Sequence, residues 1–225
     1  KDSVVIRLLE KIECWLYRQS TRIVVVSPSF KVNLVARGIH ADKIDVILNG
    51  VELAKYTPQK RNSNLAVQYR IESNDMVVGY IGTHGMAHAL TNVLEAAALL
   101  RSEKNIKLIF VGTGAERSSL MLTAQKLQLL NVQFIPAQPK EAIVDFWSLC
   151  DVALVHLKDT PVFSEVIPSK IFEAMGMGLA ILIASPAGVA SKIVLEENVG
   201  LWVPPENPQA LAKAIVYLYQ NLQER

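Results

Sequence analysis

The chain has 225 residues, of which 51% are hydrophobic and 20% charged, and a formal net charge of +2. That composition suits a globular protein with a sizeable core. The longest apolar run, residues 174–184, covers 11 positions with two glycines, short of the ~20 needed to cross a bilayer. Cys14 and Cys150, with no CxxC pair and no clustered histidines, argue against a structural zinc site and for a reducing compartment. No secretory signal is read at the start. Charge is uneven along the chain: residues 1–38 carry seven Lys/Arg against three Asp/Glu, a net +4 that leaves −2 for the rest.

Apolar residues Val5, Leu8, Leu9, Ile12, Trp15 and Leu16 recur at helical spacing and predict a helix over Val4–Gln19, a core or docking helix rather than a membrane contact. A short strand at 23–26 leads into a helix over 28–37 that stops at Gly38, and a strand at 44–48 ends in Asn49-Gly50. The polar stretch "QKRNSN" (59–64), with Pro58 before it, reads as a linker. The organisation expected is therefore 1–58 and 59–225.

Beyond that linker the pattern is regular. Strands at 76–82, 106–112, 132–135, 152–156, 179–184 and 200–204 alternate with helices near 89–101, 115–129, 140–149, 189–197 and 208–222, and with one that opens near Pro168. Short continuous apolar strands separated by helices predict an α/β fold, a parallel sheet covered on both faces. Right-handed crossovers make it a doubly wound, Rossmann-like domain. Ligands in such a sheet bind outside the carboxyl ends of the strands. The segments of interest are accordingly 82–88, 112–115, 135–139, 156–170 and 185–190.

"IPSKIFEAMGMG" (167–178) carries the most chemistry. Pro168 and Ser169 read as a helix entry with Ser169 as N-cap. Lys170 then falls in the first turn, where a cation is disfavoured unless an anion also sits there. Glu173 lies one turn further in and is placed to accept from ligand hydroxyls, with Glu165 eight residues ahead of it. The alternative is a solvated Lys170 beside a dipole-compatible Glu173. In "GTHGMAH" (82–88), Gly82 and Gly85 allow close backbone approach, while His84 and His88 can donate to anionic oxygens or be merely exposed. "GTGAER" (112–117) has Arg117 where a dinucleotide fingerprint needs glycine, and no acid ends the next strand. Gly112 and Gly114 then serve either ligand approach or helix–sheet packing.

Several separated segments, "VVVSPS", "KIDVILNGVELAKYTP", "VGYIGTHG", "LIFVGTGAERSSL", "VQFIPAQPKEAI", "EVIPSKIFEAMGMGLAIL" and "GLWVPPENPQALAKAI", resemble GT-B glycosyltransferases in their order. They are most similar to the retaining, GT4-like group, including bacterial surface-polysaccharide transferases. The resemblance covers essentially the whole chain. It implies transfer of a sugar, with retention, from a nucleoside-diphosphate sugar to a glycan or polyprenyl-linked acceptor. The carboxyl-terminal Rossmann-like domain would bind the donor, with no metal and no other cofactor. By the same resemblance Glu173 holds the donor ribose, Glu165 lies near the transferred sugar, and Gly82, Thr83, Gly85, Pro168, Ser169 and Lys170 surround the diphosphate. Backbone at Ile135–Ala137 meets the base, while Gly112 and Gly114 approach the ligand.

The sequence also departs from that family. No Arg or Lys follows Gly82 before Arg101, so His84 and Lys170 are expected to divide the work on the diphosphate, and Ser191 stands where an acid is usual. Lys170, Glu165 and His84 are the expected catalytic group. A complete enzyme of this kind is nearly twice as long, so 1–58 reads as the end of an acceptor domain and the chain as donor-binding but inactive alone. The basic start fits peripheral contact at the cytoplasmic face of the membrane, and no nucleic-acid partner is expected. A GT-B sugar-nucleotide epimerase and a non-catalytic nucleotide-sugar-binding domain are the alternatives.

Overall fold

A computed structural model describes residues 4–224. The chain divides into two compact units on either side of the Gly50–Val51 bond.

In the first unit α1 (Val4–Gln19) precedes β1 (Ile23–Val25), α2 (Pro28–Ala36) and β2 (Ile44–Val46). The two strands pair in parallel, Ile23 opposite Ile44. Ser27 Oγ accepts from Phe30 N at 3.3 Å and Pro28 supplies the fixed φ of a first helical residue, so α2 starts where the sequence predicts. Gly38, at φ +83°, ends the helical segment. Ile23, Val25, Leu34, Ile39 and Ile44 form a small core with Tyr17 and Phe30 at its margin. The predicted stripe of α1 is helical, but no residue of α1 is buried.

The second unit is the doubly wound domain. It contains α3 (Ser63–Gln68), β3 (Met76–Ile81), α4 (Leu90–Leu99), β4 (Ile106–Val111), α5 (Arg117–Lys126), β5 (Val132–Ile135) and α6 (Ile143–Trp147). There follow β6 (Val152–His156), α7 (Lys170–Gly176), β7 (Ala180–Ala184), α8 (Val189–Glu196), β8 (Gly200–Val203) and α9 (Pro208–Gln220). The six strands are parallel in the order β5-β4-β3-β6-β7-β8. Chain direction across the sheet reverses between β3 and β6, and such a switch point opens a crevice at the carboxyl ends of the two strands.

Both faces of the sheet are buried, which is why its strands read as continuous apolar runs. Alternation along β3 sends Met76, Val78 and Tyr80 to one face, where α4, α5 and α9 add Leu94, Leu120 and Leu211. Val77 and Ile81 point to the other, with Phe146, Trp147, Ile171 and Val194 of α6, α7 and α8. Each such fully buried side chain contributes about 1.5–3 kcal/mol. Gly79 leaves room for Cys150, since a Cβ there would stand 2.2 Å from its Sγ.

The segment predicted as a linker is folded against the second unit. Arg61 pairs with Asp151 at 2.7 Å, and Asn62 Oδ1 accepts from Asn64 N and Leu65 N, capping α3. Asn62 N also donates to Ser148 Oγ at 3.2 Å. A cluster of polar residues before a short helix looks the same in sequence whether it is a cap or a linker; the division of the chain falls earlier, at Gly50.

Candidate functional site

The switch-point crevice is a cleft of about 380 Å³ beside the carboxyl end of β3. One wall is the turn after β3, with Gly82, Thr83 and His88. A second is the start of α7, with Pro168, Ser169, Lys170 and Glu173. Tyr56, Lys140 and Ile143 also line it.

The turn after β3 is stapled from below. Tyr80 Oη donates to the Thr83 carbonyl at 2.8 Å, and His84 N donates to the Thr113 carbonyl at 2.8 Å. Glu116 N donates back to the His84 carbonyl at 3.0 Å, so the loops after β3 and β4 are joined. The glycines of the second loop make that junction possible. A Cβ on Gly112 would stand 2.0 Å from Gly82 O, and one on Gly114 2.4 Å from His84 O. Of the two readings of "GTGAER", these contacts support packing, but of loop on loop and not of helix on sheet. Gly112→Ala combines that overlap with a φ of +146°, and strained backbone alone costs about 1–3 kcal/mol. Its denaturant midpoint is expected to fall by the equivalent of about 3 kcal/mol or more, and an unchanged midpoint would refute the packing role.

His84 sits elsewhere than expected. It is fully buried, boxed by the rings of Tyr80, Phe110 and Phe134 at 5.9–6.1 Å, and neither ring nitrogen has a partner. Burial, with Arg117, Lys170 and His88 as neighbouring positive groups, pulls its pKa down to about 4. It is a neutral ring in an aromatic box, and the expected contact with anionic oxygens is not made from this position. The histidine on the cleft wall is His88, whose Nδ1 lies 3.3 Å from the His156 carbonyl.

At the start of α7 the structure differs from the capping expectation. Ser169 already has helical dihedrals (φ −59°, ψ −28°) and its side chain makes no cap bond. Entry is set by Pro168, whose carbonyl accepts from Ile171 N at 3.1 Å. Because α7 has only seven residues, the case for an anion rests on Lys170 itself. Its ammonium lies 3.6 Å from the centroid of the Tyr80 ring, and a Cβ on Gly82 would be 3.0 Å from Nζ. Desolvation lowers the Lys170 pKa to about 7, against a smaller opposing pull from Glu173. Glu173 in turn accepts from the indole of the fully buried Trp147, Nε1 to Oε2 at 2.9 Å.

The structure thus brings Gly82, Thr83, Pro168, Ser169, Lys170 and Glu173 together on one cleft. The other expected residues lie outside its lining. Gly85 opens the 3₁₀ turn whose last residue is His88. Ile135 is buried, its carbonyl taken by Gly112 N at 3.0 Å, and Ala137 is exposed two residues past β5. Glu165 is half-buried after a 3₁₀ turn at Pro161–Ser164, with Ser164 Oγ 3.3 Å from Oε1. That turn packs on Gly188, where a Cβ would be 2.0 Å from Ser164 O. Ser191, standing where an acid was usual, accepts from Gly188 N at 2.9 Å and so caps α8. Sequence reasoning missed Tyr56, Lys140, Ile143 and Trp147. Among the described residues no group of three His, Cys, Asp or Glu side chains is placed to hold a metal, and no helix is long and apolar enough to cross a membrane.

A doubly wound sheet with a desolvated cation and an oriented carboxylate three residues apart at its switch point defines a Rossmann-like domain with one candidate site. The chain belongs to the glycosyl transferases group 1 family, whose model matches residues 62–225; residues 3–55 match Glycosyltransferase Family 4. It is 26% identical to the probable glycosyltransferase WbjE of Pseudomonas aeruginosa over 216 residues, 96% of this chain and 54% of that protein. Over 194 residues it is 28% identical to WcaI of Escherichia coli (strain K12), named for colanic acid biosynthesis, covering 84% of this chain and 47% of WcaI. The chain therefore spans about half the length of the curated relatives it matches. Among solved structures, Anabaena HepE in complex with UDP-glucose superposes with a TM-score of 0.80 at 22% identity, over 95% of this chain and 58% of that one. That likeness shows the fold, the GT-B fold expected from the sequence.

Proposed function

We propose that the protein to which this chain belongs transfers a sugar, with retention and without a metal, from a nucleoside-diphosphate sugar to a glycan or lipid-linked acceptor in bacterial surface polysaccharide synthesis. The observation that carries this reading is the pairing on one cleft of Lys170, desolvated over Tyr80, with Glu173, held by Trp147. A diphosphate supplies the counter-charge for the first, and ribose hydroxyls supply donors for the second. As the donor bond breaks, Lys170 stabilises the charge developing on the departing diphosphate. Glu165 belongs to the sugar end of the donor, and the backbone beyond Ile135 to the base. The names of WbjE and WcaI and the UDP-glucose bound by HepE support the same class. The acceptor, polyprenyl-linked at the cytoplasmic face of the membrane, is assigned to the length of the relatives that this chain does not span.

A thermal-shift screen of UDP-, GDP- and ADP-sugars tests the donor site directly. Ligand that binds only the folded state raises the melting temperature, by the equivalent of about 2.7 kcal/mol at a hundredfold excess over Kd. One nucleotide series is expected to stabilise the chain; no shift with any of the three would overturn the assignment.

A further inference from the structure

The turn after β3 carries two histidines, and the cleft receives only one. His88 stands on the wall beside Gly82 and Lys170, half-buried, with Nδ1 3.3 Å from the His156 carbonyl. A carbonyl oxygen only accepts, so Nδ1 carries the hydrogen and Nε2 is the nitrogen left for a ligand. The ring meets Tyr80 edge-on at 5.8 Å, while the face of the same Tyr80 ring carries the Lys170 ammonium at 3.6 Å. His88 and Lys170 therefore share one aromatic platform on the lip of the cleft.

We propose that His88 and Lys170 form a paired anion subsite, in which His88 Nε2 takes up a proton as a diphosphate enters and donates it in a hydrogen bond to the oxyanion that Lys170 neutralises. The proposal rests on the nucleotide-sugar reading above. The proton comes from solvent, Nε2 gains it, and no other bond changes. The titratable groups around His88 are Tyr80 from β3, His84 from its own turn, His156 from β6 and Lys170 from α7. Burial, and secondly the Lys170 charge, hold the imidazole below its ordinary range, against a smaller opposite pull from the His156 carbonyl. In the empty cleft the Lys170 charge thus discourages the imidazole from charging. An oxyanion reverses the sign for both, so binding and protonation are linked. This assigns to His88 the anion contact that "GTHGMAH" suggested for its histidines, and explains how the cleft manages without an arginine in that turn.

Calorimetry of UDP, and separately of inorganic pyrophosphate, in two buffers of different ionisation enthalpy at pH 7.5 counts the protons. Wild type is expected to take up about one proton or more per ligand of either kind. His88→Gln keeps a neutral donor but cannot charge, so uptake should fall by up to one proton, and its deficit in affinity should shrink as pH rises. Lys170→Arg is always charged; the uptake that remains belongs to His88, and none remaining would overturn the proposal, as would unchanged uptake in His88→Gln. Uptake with UDP but not with pyrophosphate would take His88 off the diphosphate and also overturn it. Nucleotide binding with no uptake defeats this inference alone, whereas no binding by any ligand defeats the donor-site reading as well.

Discussion

Lys170→Met is expected to raise the melting temperature of the empty protein while costing it roughly 30-fold or more in UDP affinity. The two effects have one origin. Burial has brought the Lys170 pKa from 10.5 to about 7, and each pH unit of such a fall corresponds to about 1.4 kcal/mol. The Tyr80 face beneath it returns about 0.5–2 kcal/mol, so the empty site carries a net cost that a methionine of similar length removes. The loss of affinity follows from truncating one partner of a desolvated charge pair, about 2–5 kcal/mol.

The pH dependence fixes the sign independently. The folded-state value lies below the unfolded one, so the cost of the desolvated cation is fully present below pH 7 and fades as pH rises toward 10.5. Stability of the empty wild type should therefore climb across that window relative to Lys170→Met, and UDP affinity should fall across it. A variant that melts lower than wild type and still binds UDP would make Lys170 a structural residue.

How much of this was legible in the sequence depended on whether a signal was local. Strands such as β3, buried at all six positions, read directly, because a strand covered on both faces must be apolar throughout. The helix predicted at 89–101 is real but shorter, since Ala89 takes a left-handed φ of +41° outside it. The segment 59–64 misread because a cap and a linker share a composition, and only Asp151 and Ser148, far along the chain, distinguish them. The choice between His84 and His88 was not legible either. Four residues apart in a turn that is not α-helical, they could be told apart only by the aromatic box of Phe110 and Phe134 that claims one of them. Lys170 and Glu173 lie a turn apart on one element and line one cleft, yet what aims each, Tyr80 and Trp147, comes from other elements.

That second aim leads to the other large effect. Trp147 occupies Oε2 of Glu173, so the proposed ribose contact falls to Oε1. Glu173→Gln can keep Trp147 satisfied only by turning its amide oxygen to the indole, and then presents an NH₂ group where the ribose needs an acceptor. Loss of a hydrogen bond to a charged group costs about 1.5–3 kcal/mol, so UDP affinity should fall roughly 10–100-fold while that for pyrophosphate stays unchanged. The comparison belongs at the low end of the pH range the protein tolerates, because Glu173 also supports the Lys170 charge and the loss of that support matters least there. Trp147→Phe fills most of the same space but frees Oε2, so it should produce a smaller loss of the same selectivity together with a lower melting temperature. Parallel losses for UDP and pyrophosphate in Glu173→Gln would put the carboxylate's role on the diphosphate through Lys170, and the ribose would then need another acceptor in the cleft lining, of which the Tyr56 hydroxyl is one.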